Sequence, residues 1–187
     1  RGGSSAAAVV DKNRNYVYTV NVSGYAIIGN AGEGSDTVIR TADSYTLPDN
    51  VEDLRLGAGG VAATGNDADN ILTGNDSNNS LAGGAGNDAI AAGAGDDILT
   101  GGAGDDILSG GAGEDVAFYR GDAGDYQIDL LKTQVTDINV TDGDDGTDTL
   151  GEDMEAIRFG DGGELSVSMS DDDRINTYRQ PEPSQPY

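Results

Sequence analysis

The stretch that decides the fold runs from Gly65 to Phe118 and reads GNDADNILT, GNDSNNSLA, GGAGNDAIA, AGAGDDILT, GGAGDDILS and GGAGEDVAF. These six nonapeptides follow one another in register without a gap. Their first six positions are rich in Gly, Asp and Asn, which favour tight turns because Gly reaches positive φ without a steric penalty. The last three positions suit a short strand whose middle side chain points inward. A repeat this short and regular predicts a solenoid.

Two positions of the unit carry most of the information. Position eight is occupied by Leu72, Leu81, Ile90, Leu99, Leu108 and Ala117, and position six by Asn70, Asn79, Asp88, Asp97, Asp106 and Asp115. Each unit supplies half a coil, so every second turn stacks on the same edge. This predicts that Asp88 lies near Asp106 and that Asp97 lies near Asp115. Carboxylates and backbone carbonyls then converge, and an all-oxygen cage of this kind suits Ca²⁺ better than Mg²⁺.

Composition indicates where the stability must come from. The chain of 187 residues has no Trp and two Phe, so its core would be thin, and it has no Cys for disulfides. It carries 34 acidic and 10 basic residues, a net charge of −24, and no Lys or Arg lies between Leu56 and Tyr119. Close-packed like charges destabilise a compact state. Bound metal and repeated backbone hydrogen bonding are the remaining sources of stability, and the charge indicates metal. A solvated or disordered acidic segment is the alternative.

The same composition excludes several classes of function. Without His and Cys, the commonest zinc, thiol and Ser-His chemistries cannot be assembled. Nucleic acid is not an expected partner, because phosphate binding needs basic patches. No apolar run approaches the length of a membrane span. We also expect no enzyme, because each Asp is better explained as a metal ligand or surface acid than as one of a catalytic pair.

The units resemble the RTX (repeats-in-toxin), or haemolysin-type, nonapeptide GGxGxDxUx. The resemblance implies an all-β fold, a right-handed parallel β-roll or β-helix solenoid with Ca²⁺ in the turns and irregular β caps at both ends. It implies a cofactor complement of about four to six calcium ions. It also implies type I secretion from a Gram-negative bacterium, with folding on extracellular calcium.

Carried over residue by residue, the resemblance assigns two kinds of calcium ligand. The side-chain ligands are Asp88, Asp97, Asp106 and Asp115. The backbone carbonyls come from near Gly84, Gly86, Gly93, Gly95, Gly102, Gly104, Gly111 and Gly113.

The first two units depart from the pattern. They carry Asn70 and Asn79 at position six, and Ala68 and Ser77 where the pattern has Gly at position four. Asn offers a carbonyl oxygen but no charge, so both residues stay on the list of candidate ligands with weaker or absent calcium expected there. The fourth unit opens with Ala92, a mild change.

Two flanking segments echo each other outside the strict repeat. Residues 34–38 (GSDTV) precede 51–60 (VEDLRLGAGG), and residues 146–150 (GTDTL) precede 154–163 (MEAIRFGDGG). We interpret both as coils of the same solenoid with loosened turns. Their position-six acids, Asp36 and Asp148, are therefore further candidate metal ligands in degenerate repeats.

Residues 119–140 break the nonapeptide and restore larger side chains. Strands there would close the roll, since a solenoid must cover its terminal core and edge. A carbohydrate-binding surface formed by Tyr119 and Tyr126 is the competing interpretation. At the front, residues 16–25 carry large side chains at close to strand spacing and predict an entry strand.

Four segments follow from these patterns. Residues 1–60 are N-terminal flanking strands or a cap with one degenerate repeat, 61–118 the nonapeptide β-roll, 119–167 capping strands with another degenerate repeat, and 168–187 a linker or disordered tail. The sequence opens with Arg1, and we expect it to be part of a larger or processed chain.

Two functions compete at this point. The first is a calcium-binding RTX module that folds on extracellular Ca²⁺ and supports the secretion, folding and stability of a larger secreted protein. The alternative is an adhesive or carbohydrate-binding solenoid, similar to the repeat modules of alginate epimerases and bacterial adhesins, whose partner is an extracellular polysaccharide or a cell surface.

Overall fold

A computed structural model describes residues 7–9, 15, 17–20, 26–28, 35–41, 43–139, 146–167 and 177–179. This part of the chain is almost entirely β, with one 3-10 turn at Ala123–Asp125. Its strands are β1 (Ala7–Val9), β2 (Val17–Val20), β3 (Ala26–Ile28), β4 (Thr37–Arg40), β5 (Asp43–Thr46), β6 (Asp53–Leu56), β7 (Gly60–Thr64), β8 (Ile71–Thr73), β9 (Ser80–Ala85), β10 (Ala89–Ala94), β11 (Ile98–Ala103), β12 (Ile107–Ala112), β13 (Val116–Tyr119), β14 (Tyr126–Asp129), β15 (Gln134–Asp137), β16 (Thr147–Leu150), β17 (Ala156–Phe159), β18 (Glu164–Ser166) and β19 (Thr177–Arg179).

Some predicted features fall outside the described residues. These are much of the entry strand (16 and 21–25), the opening of each degenerate repeat (31–34 and 143–145) and most of the tail (168–176 and 180–187). Within the described residues, no helix combines the length and apolar character needed to cross a membrane.

From β4 to β13, successive strands alternate between two sheets, while β1 and β3 pair in parallel as a separate two-stranded sheet. The even-numbered strands β2 to β12, followed by β16, pair in parallel in one sheet, and the odd-numbered strands β5 to β13, followed by β17, do so in the other. Partners stacked at intervals of two nonapeptides are Leu54, Leu72, Ile90 and Leu108 in the first sheet and Ala63, Leu81, Leu99 and Ala117 in the second. The chain therefore winds as a parallel β-solenoid, and the predicted fold class is confirmed.

Position eight forms the core between the two sheets. All six position-eight side chains of the repeat are at most 2 % exposed. Position seven points the other way, so that Ile71, Ile98 and Ile107 are 54 %, 42 % and 59 % exposed. Side chains alternate across a strand, and this alternation buries one apolar residue per unit. Each unit of the repeat therefore contributes its position-eight side chain to the core.

The strands of the central coils are longer than predicted. Strands β9 to β12 each span six residues, because backbone pairing continues into the next unit, as between Gly84 and Gly102 and between Gly93 and Gly111. The remaining turn is short, as at 104–106. The prediction of a six-residue turn and a three-residue strand is wrong here, since glycine lets stacked backbones approach closely enough to pair.

The echoing flanks are coils of the same solenoid, as the sequence predicts. At the front, Val38 of β4 pairs with Leu54 of β6, a step slightly shorter than two nonapeptides. At the back, Leu108 pairs with Leu150 of β16, and Ala117 pairs with Ile157 of β17, both across a much longer stretch of chain. The extra residues form the hairpin of β14 and β15, which is added to the end of the first sheet.

Antiparallel strands close the C-terminal end. Strands β15 and β14 extend the first sheet, and β18 and β19 extend the second. Tyr119, Tyr126 and Phe159 pack beneath them with ring centroids 5.0–6.4 Å apart. Tyr119 and Tyr126 are only 4 % and 7 % exposed. These strands lie where the capping interpretation expects them, and the burial of Tyr119 and Tyr126 leaves neither ring exposed as a carbohydrate-binding surface would need.

The thin core makes single apolar residues important. Leu99→Ala should lower the free energy of unfolding by about 3 kcal/mol, because a fully buried Leu leaves a cavity that neighbouring coils fill poorly. Its neighbour Ile98, on the outer face, is the matched control, and Ile98→Ala should cost less than about 1 kcal/mol. Urea unfolding of both variants in calcium-saturated buffer checks this. Equal losses would contradict the assignment of position eight to the core.

Candidate metal centre

Position-six side chains stack along one edge of the solenoid. The backbone N–H of Asn70 donates to Oδ1 of Asp88 at 2.7 Å, and the N–H of Asp88 donates to Oδ1 of Asp106 at 2.7 Å. The N–H of Asp106 then donates to Oδ1 of Asp148 at 2.9 Å, across the inserted hairpin. Asp88, Asp106 and Asp148 are called the first row below. The predicted proximity of Asp88 and Asp106 is confirmed.

The opposite edge repeats the arrangement. The N–H of Asn79 donates to Oδ1 of Asp97 at 2.6 Å, and the N–H of Asp97 donates to Oδ1 of Asp115 at 2.9 Å. The N–H of Asp115 donates to Oε2 of Glu155 at 2.7 Å. Asp97, Asp115 and Glu155 are called the second row. The predicted pairing of Asp97 with Asp115 is confirmed, and Glu155 is an addition.

Two glutamates that the nonapeptide pattern does not identify take the place of position-six Asp. Besides Glu155, Glu52 accepts the N–H of Asp36 through Oε2 at 2.9 Å, and Asp36 is itself 1 % exposed. The spacing of the sequence could have identified both glutamates. Glu52 lies two positions before the buried Leu54, and Glu155 lies two positions before the buried Ile157, as position six lies before position eight. A longer acid therefore takes the position-six role in the irregular coils.

The aspartates of the rows are buried, whereas Glu155 is exposed, and one oxygen of each of three aspartates has no hydrogen-bond partner among the described residues. Asp88, Asp97 and Asp115 are at most 2 % exposed. Their Oδ1 atoms accept the N–H groups described above, whereas each Oδ2 atom is buried without a hydrogen bond. A buried ionised carboxylate costs several kcal/mol unless a positive partner compensates it.

Burial also changes the acidity of these groups. Desolvation raises the pKa of Asp88 to about 7, against the hydrogen bond from Asn70, and the charges of Asp106 and Asp69 raise it further. Desolvation likewise raises the pKa of Asp115 to about 6, with added repulsion from Asp97 and Glu155. The pKa of Asp97 is raised for the same reason. The metal-free folded chain therefore disfavours the charged forms of Asp88, Asp97 and Asp115.

Because glycine has no side chain, oxygen atoms from two neighbouring coils can face the same small space. A methyl group on Gly83 would collide with Oδ2 of Asp88 and would lie only 2.6 Å from the carbonyl oxygen of Gly101 in the next coil. The eight glycines predicted to supply carbonyls all have positive φ, as in Gly102 (118°) and Gly104 (125°). A side chain at Gly102 would also strike the carbonyl oxygen of Gly84. These turns therefore require Gly.

The repeat supplies no basic side chain to compensate its acids. Residues 57–118 contain neither Lys nor Arg, and the ion pairs of Lys132 with Asp129 and of Arg158 with Glu164 lie in the C-terminal flank. Nor do three or more His, Cys, Asp or Glu side chains of the described part group around one point. A site here would therefore combine two carboxylates with several backbone carbonyls. Calcium accepts such mixed oxygen ligands with about six to eight contacts.

A second ladder runs along the outside of the turns at position five. Oδ1 of Asp69 accepts the N–H of Asn87 at 2.8 Å, and Oδ1 of Asn87 accepts the N–H of Asp105 at 2.9 Å. On the other edge, Oδ1 of Asn78 accepts the N–H of Asp96 at 3.0 Å. All of these side chains are exposed. Asn and Asp serve equally here, so this ladder needs an acceptor oxygen and no charge.

The position-six asparagines behave differently from the aspartates. Asn70 and Asn79 are buried, but Oδ1 of each accepts a hydrogen bond from its own turn, from the N–H of Asn66 at 2.7 Å and of Asn75 at 2.9 Å. Their oxygens thus have donors within the chain, and no buried atom of either side chain lacks a hydrogen-bond partner.

The comparison with known families agrees with this geometry. Residues 64–99 and 83–117 match the RTX calcium-binding nonapeptide repeat, a unit of four copies. Neither a curated protein nor a solved structure gave a significant match to the chain. The matched residues contain four of the row carboxylates, Asp88, Asp97, Asp106 and Asp115, while Asp148 and Glu155 lie beyond them.

The raised pKa values predict how metal-free stability depends on pH. Between the ordinary Asp pKa of 3.8 and the folded values of about 7 for Asp88 and about 6 for Asp115, the folded chain binds more protons than the unfolded chain. Its free energy of unfolding should therefore fall as pH rises through this window. Far-ultraviolet circular dichroism of metal-stripped protein at stepped pH measures the folded fraction that this free energy determines. A metal-free stability that rises from about pH 5 to about pH 7 would contradict the assignment.

Proposed function

We propose that this chain, whose residues 64–117 match RTX calcium-binding nonapeptide repeats, binds calcium between its stacked turns and that its glycine-turn coils fold only when it does so. Its role is that of a calcium-responsive folding and stability module of a larger secreted protein. The proposal assigns no enzymatic activity to the chain.

One observation carries the proposal. Buried Oδ2 atoms of Asp88, Asp97 and Asp115 recur without a hydrogen-bond partner, and no Lys or Arg lies in residues 57–118. Each of these atoms belongs to a carboxylate whose other oxygen is held by the adjacent coil. A divalent cation between coils would provide the missing positive partner and would attach one coil to the next.

The ligands divide between the two edges. In the first row, Asp88, Asp106 and Asp148 supply carboxylate oxygens. In the second row, Asp97, Asp115 and Glu155 do so. Backbone carbonyls complete the sites and come from near Gly84, Gly86, Gly93, Gly95, Gly102, Gly104, Gly111 and Gly113.

The free energy available from calcium is large enough to control folding. A site with a dissociation constant near roughly 10⁻⁴ M, as in extracellular modules, contributes about 1.4 kcal/mol at about 1 mM calcium. About four or five such sites would contribute roughly 5–7 kcal/mol, comparable to the whole stability of a small domain. At submicromolar calcium the same sites contribute almost nothing. The chain would therefore stay largely unfolded inside the cell and complete its folding after export, which suits type I secretion.

The rival function, an adhesive or carbohydrate-binding solenoid, lacks a specific supporting feature in the described residues. The two aromatic residues that would form such a surface, Tyr119 and Tyr126, are buried under the cap. A glycan array with the calcium-loaded chain distinguishes the two functions.

Adding calcium should cause the chain to form its β-structure. The far-ultraviolet circular dichroism of the chain should be that of a largely unfolded protein in EGTA and should become β-type in about 1 mM calcium, because each occupied site stabilises only the folded state. Magnesium at the same concentration is the control and should have little effect, since it demands stricter octahedral geometry. A complete β-spectrum in EGTA would overturn the proposed switch.

Substituting two adjacent aspartates one at a time distinguishes a specific calcium site from an effect of net charge. Asp97→Asn should remove at least one bound ion and lower stability in millimolar calcium by about 1.4 kcal/mol per lost site. In calcium-free buffer the same change should be neutral or stabilising, because it removes a buried charge. Calorimetric titration and urea unfolding measure the effects in calcium, and circular dichroism in EGTA measures the calcium-free effect.

The control is Asp96→Asn, which makes the same charge change one residue away on the exposed turn. Oδ1 of Asp96 accepts the N–H of Glu114 at 3.1 Å, and asparagine already makes this contact at Asn78 and Asn87. Stoichiometry should be unchanged. Equal effects of the two substitutions would show that net charge, and not a site at Asp97, governs calcium affinity.

A further inference from the structure

The first two nonapeptide turns join neighbouring coils through a side-chain amide. Nδ2 of Asn66 donates to the carbonyl oxygens of Pro48 and Val51, both at 2.8 Å. Nδ2 of Asn75 donates to the carbonyl oxygens of Gly57 at 2.9 Å and Gly60 at 2.8 Å. The two donors reach acceptors at identical sequence separations, so the same bridge is built once on each edge.

The remaining polar atoms of these bridges are also satisfied. Oδ1 of Asn66 accepts the N–H of Ala68 at 2.9 Å, and Oδ1 of Asn75 accepts the N–H of Ser77 at 2.8 Å. The position-six amide adds a longer contact to the same preceding coil, as from Nδ2 of Asn70 to the carbonyl of Val51 at 3.4 Å. The asparagine turns thus contain no buried charge.

The bridging side chain stands at position two, where the following four units have Gly84, Gly93, Gly102 and Gly111. A side chain at Gly84 would point at the carbonyl oxygen of Asn66, the position-two residue of the preceding coil. The side chain of Asn66 points in the same way at the carbonyl oxygen of Pro48, but its terminal Nδ2 group donates a hydrogen bond to that oxygen. Glycine turns have no such donor and instead bury the carboxylates of the rows.

The coils beneath the asparagine turns also have the bulkier core. Val51, Leu54 and Leu56 are all at most 2 % exposed, and the single β-strand β6 buries two leucines. In the glycine coils the corresponding strand β12 buries one large side chain, Leu108. More apolar area buried per coil gives this end more stability that does not depend on metal.

We propose that the carboxamides of Asn66 and Asn75 act in place of calcium in the first two turns. They bridge successive coils with N–H donors, so that Asn70 and Asn79 hold no ion and calcium binding begins at Asp88 and Asp97. The asparagine turns stay closed when calcium is removed, and they form the end on which the calcium-dependent coils stack. This inference rests on the proposed function, since it identifies the turns in which no calcium binds.

Hydrogen exchange of the full chain, read by mass spectrometry with and without calcium, tests whether the asparagine turns stay closed when calcium is removed. Amides of the glycine turns 83–118 should gain more than about tenfold protection on adding calcium, whereas those of 65–82 should change less than about threefold. Asn66→Ala should expose the first turn in EGTA, and Asp67→Ala, an exposed neighbour, should not. Equal calcium-dependent protection of both regions would overturn the inference.

A gain-of-site variant tests whether the asparagine turns hold no ion. This test does not depend on a destabilised protein. The triple change N66G/A68G/N70D rewrites the first unit as GGDGDDILT, which matches the glycine turns at positions two, four and six. Native mass spectrometry should then count one more calcium ion than in the parent chain. A parent that binds calcium with a variant that gains none would overturn the inference alone. A parent that binds no calcium would overturn the proposed function itself.

Discussion

The structure depends on buried carboxylates that are stacked at successive coils on both edges of the solenoid. One oxygen of Asp88 and of Asp97 is fixed by an N–H of the neighbouring coil, at 2.7 and 2.6 Å, and the other oxygen is buried without a hydrogen bond. Backbone pairing brings these like charges together, and a charge buried in this way needs a positive partner. Calcium in the proposed sites would supply it, which makes the stability of the coils a function of calcium concentration.

Two kinds of turn meet this constraint differently within one fold. The aspartate turns have glycine at positions two and four and bury a charge, whereas the asparagine turns cross to the preceding coil with a neutral amide, as Asn66 does to Pro48 and Val51. A solenoid is stabilised mainly by contacts between neighbouring repeats, so a metal-independent end can serve as the surface on which further coils form. At the other end, aromatic packing of Tyr126 on Phe159 closes the core.

The nine-residue period was sufficient to predict the solenoid, the buried position eight and the stacking of Asp88 on Asp106, because a strict period fixes which residues become neighbours. It could not predict the lengths of strands β9 to β12, since backbone pairing of glycines depends on how closely two coils approach. Glu52 and Glu155 escaped notice because a longer acid in an irregular coil does not fit a pattern written for Asp. The amide bridges of Asn66 and Asn75 depend on side-chain direction, which composition alone does not give.

The most direct test of the central claim is anomalous diffraction from crystals of the calcium-loaded chain. The proposed sites require anomalous peaks between successive turns, about 2.3–2.6 Å from the buried Oδ2 atoms of Asp88, Asp97 and Asp115. No peak should lie beside Asn66 or Asn75. Crystals grown in saturating calcium that show no anomalous peak at the rows, with the carboxylates hydrogen-bonded to water or turned to solvent, would contradict the account.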